Sequence, residues 1–161
     1  MSASLFERFA GWAVKNGWKI ETSGERTNFP PDIVKRYDIP AEWADFASSF
    51  TLCEDSSACK CFLSAGDYVS KPPEVFSWNE FELQETAFAE DDEEEKARVR
   101  AFWDRYMPVF LSVSGEYAYY AIDTRSGAVI SGCEPEYEEF STEAEDLRGF
   151  IERIISGDIV L

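Results

Sequence analysis

The chain of 161 residues is long enough for one domain, expected to span residues 1–161, with a sizeable core. Its 32 Asp and Glu outnumber 15 Lys and Arg, and the formal net charge of −17 argues against direct binding of nucleic acid or anionic membranes, because both are held by positive charge. The absence of histidine removes Ser–His and Cys–His nucleophile pairs, histidine metal sites and the usual proton shuttle at neutral pH.

The first part of the chain predicts a series of short helices. Ser4 and Glu7 have the spacing of a capping box, and Asn16-Gly17 is typical of a helix end. Residues 18–29 are polar and are expected to be irregular. Prolines then place a second helix at residues 30–37 and a third after Pro40. The apolar stripe of the third helix consists of Ile39, Trp43, Phe46 and Phe50.

The middle of the chain is less regular. Two strands are expected at residues 50–53 and 59–63. Residues 75–88 are ambiguous, since their apolar side chains fit either a strand or a long ordered loop. Residues 91–103 predict a helix, because acids at its start suit the positive end of the helix dipole, and Arg98, Arg100 and Arg105 suit the negative end. Pro108 is expected to end that helix.

The best-defined stretch follows and predicts an antiparallel meander. Apolar and β-branched runs at 109–113, 117–122 and 128–131 are separated by glycine turns. The runs alternate little between apolar and polar residues, which indicates a sheet covered on both faces. Asp123 precedes a turn, where its side chain is expected to accept from the backbone two residues on, rather than to act in catalysis.

The chain then predicts an acidic loop at 134–140 and a last helix that ends at Gly157. Ser141 or Thr142 is expected to cap that helix. Helices, strands and a closing helix in this order predict an α+β fold, with N-terminal helices and a C-terminal helix packed on a mainly antiparallel sheet. The buried stripe of the last helix consists of Leu147, Phe150, Ile151, Ile154 and Ile155.

The order of these elements also resembles a known family. The matching positions are Ile39–Phe46, Met107-Pro108-Val109, Gly115, Tyr119–Asp123, Gly127-Ala128-Val129 and the helix from Thr142. Together they resemble the SMI1/KNR4 family, also called the SUKH superfamily, over residues 29–155. The resemblance implies helices packed on one main sheet. It also implies a protein-binding role, because many bacterial members are thought to neutralise toxins, often nucleases, and fungal members are linked to cell-wall synthesis and signalling.

The N-terminus and the cysteines indicate the compartment. Glu7 and Arg8 interrupt the apolar core that a signal peptide needs, and no apolar run is long enough to span a bilayer, so we expect a cytoplasmic protein. In that compartment the cysteines are expected to be reduced, buried thiols. They lack the paired Cys-x-x-Cys spacing of structural zinc sites, and we expect no metal and no cofactor. The four cysteines are Cys53, Cys59, Cys61 and Cys133.

The negative charge is concentrated in two segments that flank the meander. Residues 72–161 hold 22 acids and 7 bases, and no base lies between Lys71 and Lys96 or between Glu134 and Asp146. A solvated helix start accounts for the first segment without any function, and a calcium site lacks the spacing and the central glycine of an EF-hand. The functional interpretation is a docking surface for a basic protein. Its candidate residues are Glu90, Asp91, Asp92, Glu93, Glu94, Glu95, Trp78, Glu134, Glu136, Tyr137, Glu138 and Glu139.

Aromatic side chains would anchor such a surface. Trp78 and Phe81 lie in the first acidic segment, and for both the core is the favoured location. Tyr137 is expected to be exposed, because Glu136, Glu138 and Glu139 surround it.

Three functions follow from these patterns. The first is a non-enzymatic binding module, an immunity protein that neutralises a basic, nuclease-type toxin. The alternative is a regulatory or scaffold protein of the SMI1/KNR4 type. The third is an enzyme that uses carboxylates alone, and it predicts a deep cleft lined by acids with raised pKa values.

Overall fold

The computed structural model describes residues 3–161, which form helices and strands of an α+β fold, as predicted. The helices are α1 (Leu5–Lys15), α2 (Pro31–Arg36), α3 (Ala41–Ala47), α4 (Glu80–Phe88), α5 (Glu93–Arg105) and α6 (Leu147–Ser156). The strands are β1 (Lys19–Glu21), β2 (Leu52–Glu54), β3 (Lys60–Phe62), β4 (Tyr106–Ser112), β5 (Ala118–Asp123), β6 (Val129–Cys133) and β7 (Ser141–Ala144). Within the described residues these strands form one sheet in chain order, and each pair of neighbours is antiparallel.

The predicted meander is the centre of this sheet. Its three strands are β4, β5 and β6, and Gly115 and Gly127 take the positive φ values of 77° and 85° that their turns require. Every residue of β4 is buried, so the prediction of a sheet covered on both faces is confirmed. Asp123 accepts the backbone N–H of Arg125 at 3.0 Å, which confirms its predicted role in the turn.

Two groups of helices cover the two faces of the sheet. Phe9 of α1, Phe46 of α3 and Phe150 of α6 pack around Phe62 of β3, with ring centroids 5.0, 5.5 and 6.4 Å from it. On the other face, Trp103 of α5 lies 5.0 Å from Tyr119 of β5. The last helix therefore closes one side of the core, and the pair α4–α5 closes the side that carries the acidic segments.

The helix ends follow the sequence closely in three places. Ser4 and Glu7 form the predicted capping box of α1, and Asn16 ends that helix. Gly157 ends α6 in the left-handed conformation, with φ of 90°. The stripe of α6 is buried except at Ile155, which is half-buried.

Four local predictions were wrong. Residues 80–88 form helix α4, not a strand or a loop. Helix α5 ends at Arg105, and Pro108 lies inside β4, where the pairing with β5 shifts register between Pro108 and Phe110 and accommodates the missing N–H. Residues 141–144 form β7, so Asp146 caps α6 by accepting from Gly149 N–H at 2.7 Å. Lys19–Glu21, expected to be irregular, is edge strand β1.

Among residues 3–161, no helix combines the length and apolar composition needed to cross a membrane. The thiols are free, as expected, and burial raises the pKa of Cys53 and of Cys61 to about 12. The expectation of buried thiols holds fully only for Cys53, because Cys59 and Cys61 are half-buried and Cys133, the last residue of β6, is exposed.

Candidate functional site

The two acidic segments, which are far apart in the sequence, meet at one cavity of about 400 Å³. The end of α4 forms one wall, the start of α5 forms the second, and the loop 134–138 forms the third. We call this cavity the acidic cleft. Of the predicted partner-binding residues, five line it: Glu95, Glu134, Glu136, Tyr137 and Glu138.

The remaining predicted residues lie elsewhere. Residues 90–94 surround the start of α5, where Asp92 accepts the backbone N–H of Glu95 at 3.1 Å and caps the helix. Glu139 lies outside the lining of the cleft. Trp78 is only 7% exposed, because it packs between Tyr37 and Tyr68 with ring centroids 6.3 and 5.3 Å away. These positions leave the helix-start acids exposed to solvent and place Trp78 in the core.

Tyr137 is 3% exposed, so the expectation that its acidic neighbours would expose it was wrong. Its ring stacks on Phe81 of α4, with centroids 4.5 Å apart and an interplanar angle of 13°. Its hydroxyl donates to Gln84 Oε1 at 3.1 Å. Tyr137 therefore fixes the loop to α4 and holds the neighbouring carboxylates of Glu136 and Glu138 in place.

The sheet supports this loop from below. The hydroxyl of Tyr119 in β5 donates to the backbone oxygen of Tyr137, and Tyr117 N–H donates to Glu134 Oε1 at 2.8 Å. The Tyr119 ring lies directly against Gly132 of the neighbouring strand, where a Cβ atom would lie 2.6 Å from Tyr119 Oη. Only glycine therefore fits at position 132 without moving the tyrosine that holds the loop.

Glu85 is the most perturbed carboxylate of the cleft. Burial raises its pKa to about 7, the negative charge of Glu138 adds to the effect, and a hydrogen bond from Trp103 Nε1 at 2.8 Å opposes it. Among the described residues it forms no ion pair. Near neutral pH the Glu85 side chain is therefore protonated in part of the molecules and ionised in the rest.

Arg98 connects α5 to the loop across the cleft. Its Nε donates to Glu95 Oε2 at 3.1 Å, and its terminal nitrogens contact Glu95 and Glu138. These contacts raise the pKa of the guanidinium, which is charged at any physiological pH in any case. Arg98 thus neutralises part of the negative charge contributed by two different segments.

The lining of the cleft combines excess negative charge with an exposed aromatic ring. Among its described lining residues, five are Glu and one, Arg98, is a base. Phe88 lies at the end of α4 with 85% of its surface exposed, and Ala89 and Pro135 extend the apolar part of the lining. The ring lines the same cavity as three carboxylates that form no ion pair among the described residues, those of Glu85, Glu134 and Glu136.

Sequence reasoning missed Glu85, Phe88 and Arg98. The first two lie on α4, and the interval of three residues between them places both on one side of a helix. Their signal depended on recognising residues 80–88 as helical. Arg98 was noticed only as a favourable charge on a helix, because nothing local indicated that residue 138 would lie against it.

Within the described chain, no three Cys, Asp or Glu side chains are arranged as a metal-binding group. Comparison with family models, with curated proteins and with solved structures gives no match for this chain. The resemblance to the SMI1/KNR4 family therefore stays a prediction from the sequence pattern.

Proposed function

We propose that the chain is a non-enzymatic protein-binding module that docks a basic protein on the acidic cleft. The SMI1/KNR4 resemblance makes an immunity protein that neutralises a nuclease-type toxin the specific form of this proposal. A nuclease presents a basic surface to its own polyanionic substrate, and an acidic chain that covers this surface would block it.

The convergence of two acidic segments on one concave surface is the observation that carries the proposal. Unpaired carboxylates attract a basic partner over long distances and raise its association rate. Phe88 offers an apolar contact at the same place, and aromatic anchors contribute much of the binding energy in protein interfaces. The loop that carries Glu136 and Glu138 is held by Tyr137 and Tyr119, so little order needs to be gained on binding.

The test uses two variants with the same change in charge at different places. Glu136→Lys with Glu138→Lys reverses the loop of the cleft, and Glu93→Lys with Glu94→Lys reverses the exposed helix start. Each variant and the native chain serve as bait in extracts of the source organism at low and high salt. We expect the native chain to retain a basic protein at low salt, the loop variant to lose it, and the helix-start variant to keep most of it.

The captured protein is then assayed for nuclease activity with and without an equimolar amount of the chain. Inhibition supports the immunity role, whereas a basic partner without toxic activity supports the regulatory or scaffold alternative. Equal capture by the native chain and the loop variant would show that the cleft is not part of the interface.

Carboxylate catalysis is a second candidate, favoured by one observation. Glu85 has a pKa of about 7 in a cleft with other carboxylates, and a general acid in a glycosidase has this property. Against it, Arg98 engages Glu138 and Glu95, and these are two of the carboxylates that would have to act as the base. Hydrolysis of chromogenic glycosides that is lost in Glu85→Gln would favour the enzyme over the binding module.

A further inference from the structure

The acidic cleft already holds one guanidinium group, which belongs to Arg98 of the chain itself. Glu95 contacts this group from α5 and Glu138 contacts it from the loop. Two carboxylates that lie on either side of a planar guanidinium form the arrangement that proteins use to recognise arginine.

We propose that Arg98 occupies the position that an arginine side chain of the partner enters, so that docking exchanges one guanidinium for another. The inference rests on the proposed function and specifies it further. The occupant is an arginine-containing segment of the basic partner, and Arg98 is an internal competitor for its binding position.

The exposure of the three side chains shows which of them can move. Arg98 is 57% exposed and Glu95 is 38% exposed, whereas Glu138 is only 19% exposed. An exposed ion pair spaced three residues apart on a helix contributes little to stability. Glu138 is next to Tyr137, which α4 and β5 hold in place. The anion is therefore fixed, and Arg98 can leave it at small cost when an incoming guanidinium takes its place.

Phe88 gives a second and independent reason to expect arginine. Its ring is 85% exposed and lies in the lining of the same cavity. An arginine side chain stacks its guanidinium or its aliphatic stem on such a ring while its nitrogens reach carboxylates. Lysine has a compact ammonium group, which can contact carboxylates but cannot form the planar, bidentate contacts of a guanidinium.

The charge around Glu85 is consistent with this occupant. The groups that face Glu85 are Glu138 from the loop, Glu95 and Arg98 from α5, and the Trp103 N–H. A cation that enters the cleft would favour the ionised form of Glu85, so binding is expected to release protons near neutral pH.

The experiment measures binding of a fluorescent peptide of alternating Arg and Gly, with a Lys–Gly peptide of the same length for comparison. Arg98→Ala removes the competitor and Arg100→Ala is the matched control. Arg100 carries the same charge on the same helix, is exposed, and makes no ion pair among residues 3–161. We expect Arg98→Ala to bind the Arg peptide about fivefold more tightly than the native chain, and Arg100→Ala to gain about twofold or less. The Lys peptide should gain no more from Arg98→Ala than from Arg100→Ala.

Two results would overturn the inference. Equal gains in the two variants would show that Arg98 acts only through its charge. Binding of the Arg peptide to neither the native chain nor Arg98→Ala would show that the cleft takes no arginine. In both cases the proposed function is judged separately by the bait experiment, because capture that depends on Glu136 and Glu138 can hold without an exchange at Arg98. Thermal melts of both variants verify that each is folded, as expected for exposed positions.

Discussion

Asp123 and Glu85 are both carboxylates on the side of the core covered by α4 and α5, and their surroundings move their pKa values in opposite directions. Asp123 accepts two hydrogen bonds from Arg105, at 3.0 and 2.9 Å, together with Arg125 N–H and Ser126 Oγ. The Arg105 contacts, with these neighbours, lower the pKa of Asp123 to about 2. Glu85 receives one neutral donor, Trp103, and burial raises its pKa to about 7.

The difference distinguishes a carboxylate that is neutralised within the fold from one that forms no ion pair among the described residues. Asp123 has its cation within the fold, and its hydrogen bonds connect the end of α5 to the turn after β5. Glu85 is partly buried without an ion pair among the described residues, and its neighbours are mostly acids. A partner's cation would supply to Glu85 what Arg105 already supplies to Asp123, and this makes the cleft better suited to an interface than the turn.

The largest expected effect is the loss of the structural carboxylate. Asp123→Asn keeps the shape of the side chain but removes the charge that Arg105 contacts. We expect the free energy of unfolding at pH 7 to fall by about 2–3 kcal/mol, because charge-assisted hydrogen bonds at a buried acceptor are lost. Urea unfolding measures it. Asp104→Asn is the control, since its pair with Arg36 has a half-exposed carboxylate and should change stability by about 0.5 kcal/mol or less.

The loss of stability caused by Asp123→Asn is expected to depend on pH. A carboxylate with a lowered folded pKa stabilises the fold above its unfolded pKa of about 4, and this contribution is lost as the pH falls toward 2. The difference in stability between the native chain and Asp123→Asn should therefore narrow between pH 4 and pH 2. A difference that stays constant over that range would mean that the ion pair is not its source.

Glu85→Gln is expected to change stability in the opposite direction to Asp123→Asn. The amide that replaces the carboxylate can still accept from Trp103 Nε1, but it carries no charge to be desolvated. Because the pKa of Glu85 is raised in the folded chain, this side chain does not destabilise the fold below pH 4.5, where it is protonated in both states. The destabilisation grows as the pH rises and is complete above about 7. We expect this variant to be more stable than the native chain at pH 8, by on the order of 1 kcal/mol after allowance for partial exposure, and equally stable at pH 4.

Thermal melts at the two pH values measure this gain. Glu94→Gln removes the same charge from an exposed position of α5 and controls for the general repulsion of an acidic chain. An equal gain in both variants at pH 8 would show that net charge, and not the cleft, is responsible. The Arg peptide should also bind Glu85→Gln more weakly than the native chain.

The sequence predicted the centre of the fold better than its edges. Strands β4 to β6 are apolar and separated by glycines, so their pattern was clear, and Asp123 in their second turn was interpreted correctly. Strands β1 and β7 are short and largely polar, as edge strands often are, and neither was recognised. Helix α4 buries only Phe81 fully, and polar residues occupy the positions three and four residues after it, so the helix lacks the continuous apolar stripe by which a helix is recognised.

The candidate site was predicted in its charge but not in its geometry. The acids of both segments were named from composition alone, yet their convergence depends on the packing of Tyr137 against Phe81, which joins residues far apart in the chain. Tyr137 was expected to be exposed because its sequence neighbours are acidic. In the structure its ring turns inward, Glu136 and Glu139 are exposed, and Glu138 is half-buried against Arg98. The residues next to Tyr137 therefore indicated the charge of the surface, but they did not show that the tyrosine would be buried and would hold the acidic loop in place.

The smallest change in stability is expected from Phe88→Ala. The same variant tests whether the cleft binds arginine through its ring as well as through its carboxylates. A side chain that is 85% exposed contributes almost nothing to the core, so the free energy of unfolding should change by about 0.5 kcal/mol or less. If the cleft binds arginine, loss of the ring removes the surface on which that side chain stacks, and binding of the Arg peptide should weaken about three- to tenfold. Leu83→Ala, 51% exposed on the same helix and outside the cleft, is the matched control and should leave binding unchanged. If Phe88→Ala binds the Arg peptide as well as Leu83→Ala does, the ring contributes nothing and the cleft attracts arginine through charge alone. Glu85 and Asp123 would then differ only in whether their charge is neutralised within the fold.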